Sequence, residues 1–227
     1  MATRHFLPVS EQTLRRLSAY HTYLKRLQSQ GRPIVSSARI GQDLRLEASL
    51  VRKDLAVTGV SGCQSGYEIA ELAPAIESFL GWDDRSGAFL AGVGCLGMAL
   101  LGHQPLADQG LEIIAGFDID PRLVDTTVHG RSVLHVDRLA GLAQRMRVHV
   151  GILCVPPAAA QDVADKMLEG GIDALWNFTA TTLRVPEHVV VQNENLASSL
   201  AVLSKRADHR KSNAPADASG AAEMRHE

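Results

Sequence analysis

The sequence predicts an α/β chain in two parts, a small helical module followed by a doubly wound parallel sheet. Three observations predict it. Residues 10–59 carry three amphipathic helix patterns in close succession. Residues 87–193 alternate apolar strand runs with helix runs. Between the first of those strands and its helix lies Gly92-Val93-Gly94-Cys95-Leu96-Gly97, the glycine spacing of a turn that brings backbone close to a phosphate.

The 227 residues, 45% of them hydrophobic, suffice for one medium domain and a small one. The net charge of −2 conceals a division along the chain. Residues 1–58 hold ten Lys or Arg against four acids, a charge of +6, which leaves −8 on the remainder. A basic module on an acidic body implies a polyanionic partner for the first part alone, or else a solvated basic helix face. The three cysteines, Cys63, Cys95 and Cys154, form no CxxC pair, so neither a zinc cluster nor a disulfide framework is expected. Their pattern is that of small apolar fillers in a reducing compartment. No apolar run of about 18 residues and no signal-peptide pattern occurs, so no membrane association and a cytoplasmic location are expected.

The elements follow in order. In residues 10–30, Leu14, Leu17, Tyr20, Leu24 and Leu27 recur at helical spacing behind a Ser10 N-cap, with Gly31 as the stop. "SSARIGQDL" (36–44) opens a second helix on serine. "EASLVRKDLAVTG" (47–59) gives a third, with Leu50, Val51 and Leu55 inward and Arg52 and Lys53 outward. "GVSGCQSGYEI" (59–69) reads as a Gly-rich hairpin, which completes the winged-helix order of elements. Residues 70–82 form a linking helix. A strand at 88–94, a helix at 96–108 and a strand at 111–119 follow. Beyond a loop-rich piece containing "RSVLH", helices near 137–145 and 158–171 alternate with strands at 149–155, 173–178 and 188–193. An amphipathic helix at 194–206 closes the fold. The expected domains are 1–84, 85–206 and a polar, aperiodic tail at 207–227 read as disordered.

In the glycine turn, Gly92 permits the tight bend, Gly94 admits the pyrophosphate and Gly97 lets helix and strand pack closely. The helix N-terminus adds its positive dipole. Asp118 ends the second strand 21 positions after Gly97, where an acid binds ribose hydroxyls and disfavours a 2′-phosphate. NAD(H) is therefore expected over NADP(H). A Gly-rich turn of an unrelated α/β domain, or a Rossmann domain adapted to coenzyme A, would give the same spacing. Catalysis is not expected. All three tyrosines (Tyr20, Tyr23, Tyr67) lie in the first module, and His103, His129, His135, His149 and His188 have no acid at a recognisable spacing. An NAD-dependent oxidoreductase of unusual build is the alternative.

The second helix of a helix-turn-helix pair enters the major groove, which places Arg52 and Lys53 against base edges or phosphates. Arg45, Arg15 and Arg16 would add phosphate contacts. Many three-helix bundles bind proteins instead, but together with the wing and the charge split the module makes double-stranded DNA the expected partner.

From Val9 to Arg206 the chain resembles the redox-sensing repressors called Rex. The resemblance is carried by "TLRRL" (13–17), "VRKDL" (51–55), "GVGCLGMALL" (92–101), "GFDIDP" (116–121), "CVPPAAAQDVADKMLEGGIDALWNF" (154–178) and "VPEHVVVQNENLASSL" (185–200). It implies a homodimer with N-terminal winged-helix domains, C-terminal Rossmann domains and a last helix exchanged between subunits. It also implies repression relieved by NADH. By position, Arg52 and Lys53 contact the operator. The Gly92–Gly97 turn, Asp118, Cys154-Val155-Pro156 and Asn177-Phe178-Thr179 line the nucleotide pocket, while Asn195 and Leu196 sit on the exchanged helix. The chain departs from that pattern in places. Its wing, "AVTGVSGCQSGYEI" (56–69), is a residue short and lacks any basic residue, and Met98, His103 and Asn195 stand where the family often has arginine, tyrosine and aspartate. The expected function remains an NADH-responsive repressor, with a sensor that has lost DNA binding and acts through a protein partner as the alternative to which the uncharged wing lends weight.

Overall fold

A computed structural model describes residues 9–212. Its chain divides into two compact units, one running through Gly87 with His103–Glu112 added, the other comprising Ala88–Gly102 and the residues from Ile113 onward. Residues 103–112, which the sequence places in the second domain, cluster with the first unit.

In the first unit, α1 (Glu11–Ser29) starts where the Ser10 hydroxyl accepts from the Thr13 amide at 3.2 Å. Its stripe of Leu17, Tyr20, Leu24 and Leu27 is buried, whereas Leu14 is 38% exposed, so the inward face begins one turn later than the spacing implies. After β1 (Ile34–Val35), α2 (Ser37–Leu44) is capped by Ser36 and ends on Arg45 in the left-handed region, φ 58°. α3 (Ala48–Ala56) buries Val51 and Leu55. β2 (Tyr67–Glu68) pairs antiparallel with β1, Val35 facing Tyr67. The wing is thus not a two-stranded hairpin of its own. One tight turn, closed by Cys63 and Gly66 exchanging backbone hydrogen bonds of 2.8 and 3.1 Å, replaces it, because its Gly- and Ser-rich sequence has no alternating apolar face to pair. α4 (Ile69–Leu80) packs Leu72 and Ile76 into the same core and stops at Gly81, φ 76°.

The sheet is built from β3 (Ser86–Ala91), β4 (Leu111–Asp118), β5 (Thr127–Val128), β6 (Arg131–His135), β7 (Val150–Leu153), β8 (Ala174–Asn177) and β9 (Val190–Asn193). Their order is β5-β6-β4-β3-β7-β8-β9. Without the short antiparallel β5, this is the 3-2-1-4-5-6 order of a doubly wound dinucleotide fold. Strands buried on both faces explain the near-continuous apolar runs of β3 and β7, where Phe89, Leu90, Ile152 and Leu153 are within 1% of full burial. The helices are α5 (Cys95–Leu101), α6 (Gln104–Asp108), α7 (Leu139–Met146), α8 (Ala160–Glu169) and α9 (Leu196–Ser212).

Three expectations are corrected here. The helix foreseen over 96–108 breaks at Gly102-His103, and α6 opens at Gln104 with Pro105 in its first turn, where the N–H that proline lacks would have no intrahelical acceptor. The loop-rich piece contains β5, turned back onto β6 by His129 (φ 48°) and Gly130 (φ 78°). α9 runs six residues past 206, so 207–212 are helical; residues 213–227 of the expected tail lie outside the described residues. Among the described residues, no helix is long and apolar enough to cross a membrane.

Candidate functional site

The chain winds from β3 outward through β4 and β6, then returns to β7, β8 and β9 on the other side. The direction of winding therefore reverses between β3 and β7, and ligands of such sheets bind beyond the strand ends at that point. Every nucleotide-pocket residue named from the sequence lies at this carboxyl edge: the Gly92–Gly97 turn after β3, Asp118 at the end of β4, Cys154–Pro156 after β7, and Asn177–Thr179 at the end of β8.

The glycines have separate reasons. Gly92 has φ 92°, and a Cβ there would lie 2.6 Å from the Cys154 carbonyl carbon and oxygen. Gly97 is buried with its Cα turned onto the Gly92 carbonyl oxygen and the Leu90 side chain. At Gly94, the residue before α5, a Cβ would meet nothing within 4 Å. That space adjoins the opening turn of α5, whose first amides have no intrahelical acceptor and which no side chain caps. An anion fits there.

Asp118 braces this turn. One carboxylate oxygen accepts from the Val93 amide at 2.7 Å, and the other from the Ile119 and Asp120 amides at 2.7 and 2.9 Å. A carboxylate has about four acceptor positions, so a ribose hydroxyl still has one to use. Val93 itself is buried, while Cys95 and Leu96 are exposed at the turn's rim. The Cys154 amide donates to Ala91 O at 2.8 Å, and burial pushes its thiol up to about 12, leaving it protonated and unreactive at neutral pH.

Asn177 is wholly buried and fully used. Its Nδ2 donates to Thr181 O (2.9 Å) and Asn193 Oδ1 (2.8 Å), and its Oδ1 accepts from the Thr179 amide (3.0 Å) and hydroxyl (2.7 Å). Asn177 and Thr179 thus shape the rim through internal bonds. Phe178 stacks at a tilt on Trp176, with 4.8 Å between ring centroids. Asn193 and Thr181, missed from the sequence, complete this knot; it joins strands 16 residues apart, and no local pattern announces it.

On the first unit, Arg45, Arg52 and Lys53 are exposed, and Arg52 reaches the Ser37 hydroxyl at 3.5 Å. Arg15 is exposed and paired with Glu11 at 2.8 Å. Arg16, expected beside a phosphate, is engaged within the module: its guanidinium grips Asp54 of α3 with two bonds of 2.6 and 2.9 Å, and Tyr20 adds a third to the same carboxylate at 2.9 Å, so it ties α1 to α3. Burial pushes the Asp54 carboxyl up, but the bonds from Arg16 and Tyr20 outweigh it and hold the group below its ordinary range. Asp54 lies 38 residues from Arg16, and no spacing in the sequence marks the pair. Asn195 Oδ1 accepts from the Ser198 amide at 3.1 Å and so caps α9, which opens at Leu196.

A basic three-helix module joined to a doubly wound sheet with an anion-accepting glycine turn is the build of a nucleotide-responsive DNA-binding regulator. Residues 8–56 match the model of a putative DNA-binding protein N-terminus, and residues 83–181 that of a CoA binding domain. The redox-sensing transcriptional repressor Rex of Porphyromonas gingivalis is 47% identical over 199 residues, covering 87% of this chain and 91% of the relative. The Rex of Bacteroides fragilis is 45% identical, covering 87% and 90%. The crystal structure of RSP with β-NAD+ and operator DNA is similar at a TM-score of 0.83 and 32% identity, covering 90% of this chain and 95% of that one. RSP with β-NADH gives 0.82 and 31%, covering 90% and 97%. The chain belongs to the Rex family of redox-sensing transcriptional repressors.

Proposed function

We propose that this chain holds operator DNA through α2 and α3 and loses that grip when its crevice holds NADH, acting as a homodimer and without catalysis of its own. The observation that carries the reading is the open space at Gly94 beside the uncapped start of α5, within a turn braced by Asp118. The residues around it fit a dinucleotide: backbone amides for a pyrophosphate, a carboxylate for ribose hydroxyls, and glycine where backbone must come close. A bound dinucleotide supplies the redox signal through its nicotinamide ring, cationic when oxidised and neutral when reduced.

Arg52 and Lys53 stand outward on α3, with Val51 and Leu55 fixing the face that turns inward, so both cations are available to a groove. Arg45 adds a phosphate contact from the end of α2. The exposed Leu200, Val202 and Leu203 of α9 form the apolar surface for the partner protomer. Coupling is a population shift. A dimer whose DNA-incompetent form has the higher NADH affinity loses operator affinity by the same factor.

The test is fluorescence-anisotropy binding to an operator duplex without nucleotide, with NAD+ and with NADH. Tight binding abolished by NADH alone is the expected result. NADH binding in calorimetry with no specific DNA binding in any condition would refute the repressor reading. That outcome would favour a sensor with a protein partner, the reading to which the uncharged wing at 57–66 points.

A further inference from the structure

We propose that Asp120 is a positioning residue for nucleotide choice: by holding the Arg122 guanidinium it denies the crevice a cation for a 2′-phosphate, and so reinforces the preference for NAD(H) over NADP(H). The proposal rests on the dinucleotide reading above.

The turn after β4 is where the two dinucleotides are told apart, because the acid at the strand end faces the ribose that carries the extra phosphate. Asp118 occupies that end, and the Asp120 amide donates to it at 2.9 Å, which joins the two acids through one short turn. Arg122, two residues further on, is the type of residue that accommodates a 2′-phosphate when its fork is open. Here the fork is closed. The guanidinium Nε donates to both Asp120 oxygens at 3.0 and 3.1 Å, and Nη2 donates to one of them at 2.6 Å. The Arg122 amide also donates to Asp120 at 2.9 Å, which folds the pair into a fixed local geometry. The Arg122 side chain is 88% exposed, so Asp120 is what holds it. A 2′-phosphate entering this edge would meet the Asp118 carboxylate and a cation already neutralised. A ribose hydroxyl would meet an acceptor and no net repulsion.

Asp120→Asn keeps an oxygen for the Arg122 amide and removes the charge that holds the guanidinium. Calorimetric titration of the full chain gives the ratio of NADPH to NADH dissociation constants for the wild type, Asp120→Asn, Asp118→Asn and the double variant. The double variant is expected to lower that ratio by about fivefold more than Asp118→Asn alone, the size of one exposed charge-assisted hydrogen bond. Adding Arg122→Ala should erase the extra gain, and Asp120→Glu, which keeps the charge, should restore discrimination. Equal ratios for Asp118→Asn and the double variant overturn the proposal while leaving NADH binding intact. Should the double variant not fold, Asp120→Asn decides alone: an unchanged ratio overturns the proposal. Failure of the wild type to bind NADH overturns the dinucleotide reading itself, and the proposal falls with it.

Discussion

Gly94→Ala separates a binding role from a folding role at a single atom. The residue has φ −76° and ψ −165°, extended backbone that alanine adopts without strain, and the added methyl would meet nothing within 4 Å. Folding stability should therefore move little. Lower chain entropy in the unfolded state favours alanine by about 0.4–1 kcal/mol, and the poorer N-cap offsets a few tenths of that. Binding should move a great deal. A methyl in the space where a pyrophosphate meets the α5 amides forfeits one charge-assisted hydrogen bond or more, about 1.5–3 kcal/mol each, and every 1.4 kcal/mol is tenfold. NADH affinity by calorimetry is thus expected to fall about 10- to 100-fold, with the melting temperature within a degree or two of wild type. Gly97→Ala supplies the contrast. Its methyl would be driven into the Gly92 carbonyl oxygen, so the apo protein should lose about 1–3 kcal/mol before any ligand is added. A Gly94→Ala protein that binds NADH as tightly as wild type would refute the placement of the phosphates.

Two further outcomes concern the first unit. Removing one partner of a buried ion pair costs about 3–5 kcal/mol, and because the Arg16 side chain is 23% exposed, Asp54→Asn should cost about 2–3 kcal/mol in urea denaturation at pH 7. The folded carboxyl lies below its unfolded value of about 4, so the difference between variant and wild type should persist above that pH and shrink as pH falls through the folded value; a pH-independent difference would contradict the pairing. Arg52→Ala should weaken operator binding by about 1–3 kcal/mol if it reads a base edge, whereas Lys53→Ala should lower the salt dependence of binding by about one unit of log–log slope for each phosphate it neutralises. Identical salt slopes for Lys53→Ala and wild type would remove Lys53 from the phosphate-binding set.

What the sequence disclosed, and what it concealed, divide along a physical line. The apolar periods of α1 and of the buried strands, and the glycine turn, are local in the chain, so helix, strand and turn positions were legible to within a few residues. The breaks were harder. Pro105 begins a helix as readily as it ends one, which is why the apolar spacing suggests a single helix over 96–108 where α5 and α6 stand. The wing was legible as a turn but not in its pairing, since β2 finds its partner in β1, more than 30 residues away. The site followed the same rule. Gly92, Gly97 and Asp118 announce themselves by spacing, yet the bond from the Val93 amide to Asp118 does not. Arg16 reads as one more cation on a basic helix, because the acid that claims it lies on another element.

That claim has a mechanical consequence. With Asp54 clamped by Arg16 and Tyr20, and sitting one residue after Lys53, the helix that carries Arg52 and Lys53 is tied to α1. On the repressor reading proposed above, the prediction is that α1 and α3 move together when the nucleotide changes, so that the signal alters where the module sits and not the pitch of one helix. A change on the far side of α1 that shifts this anchor would retune DNA affinity without touching a base or a phosphate.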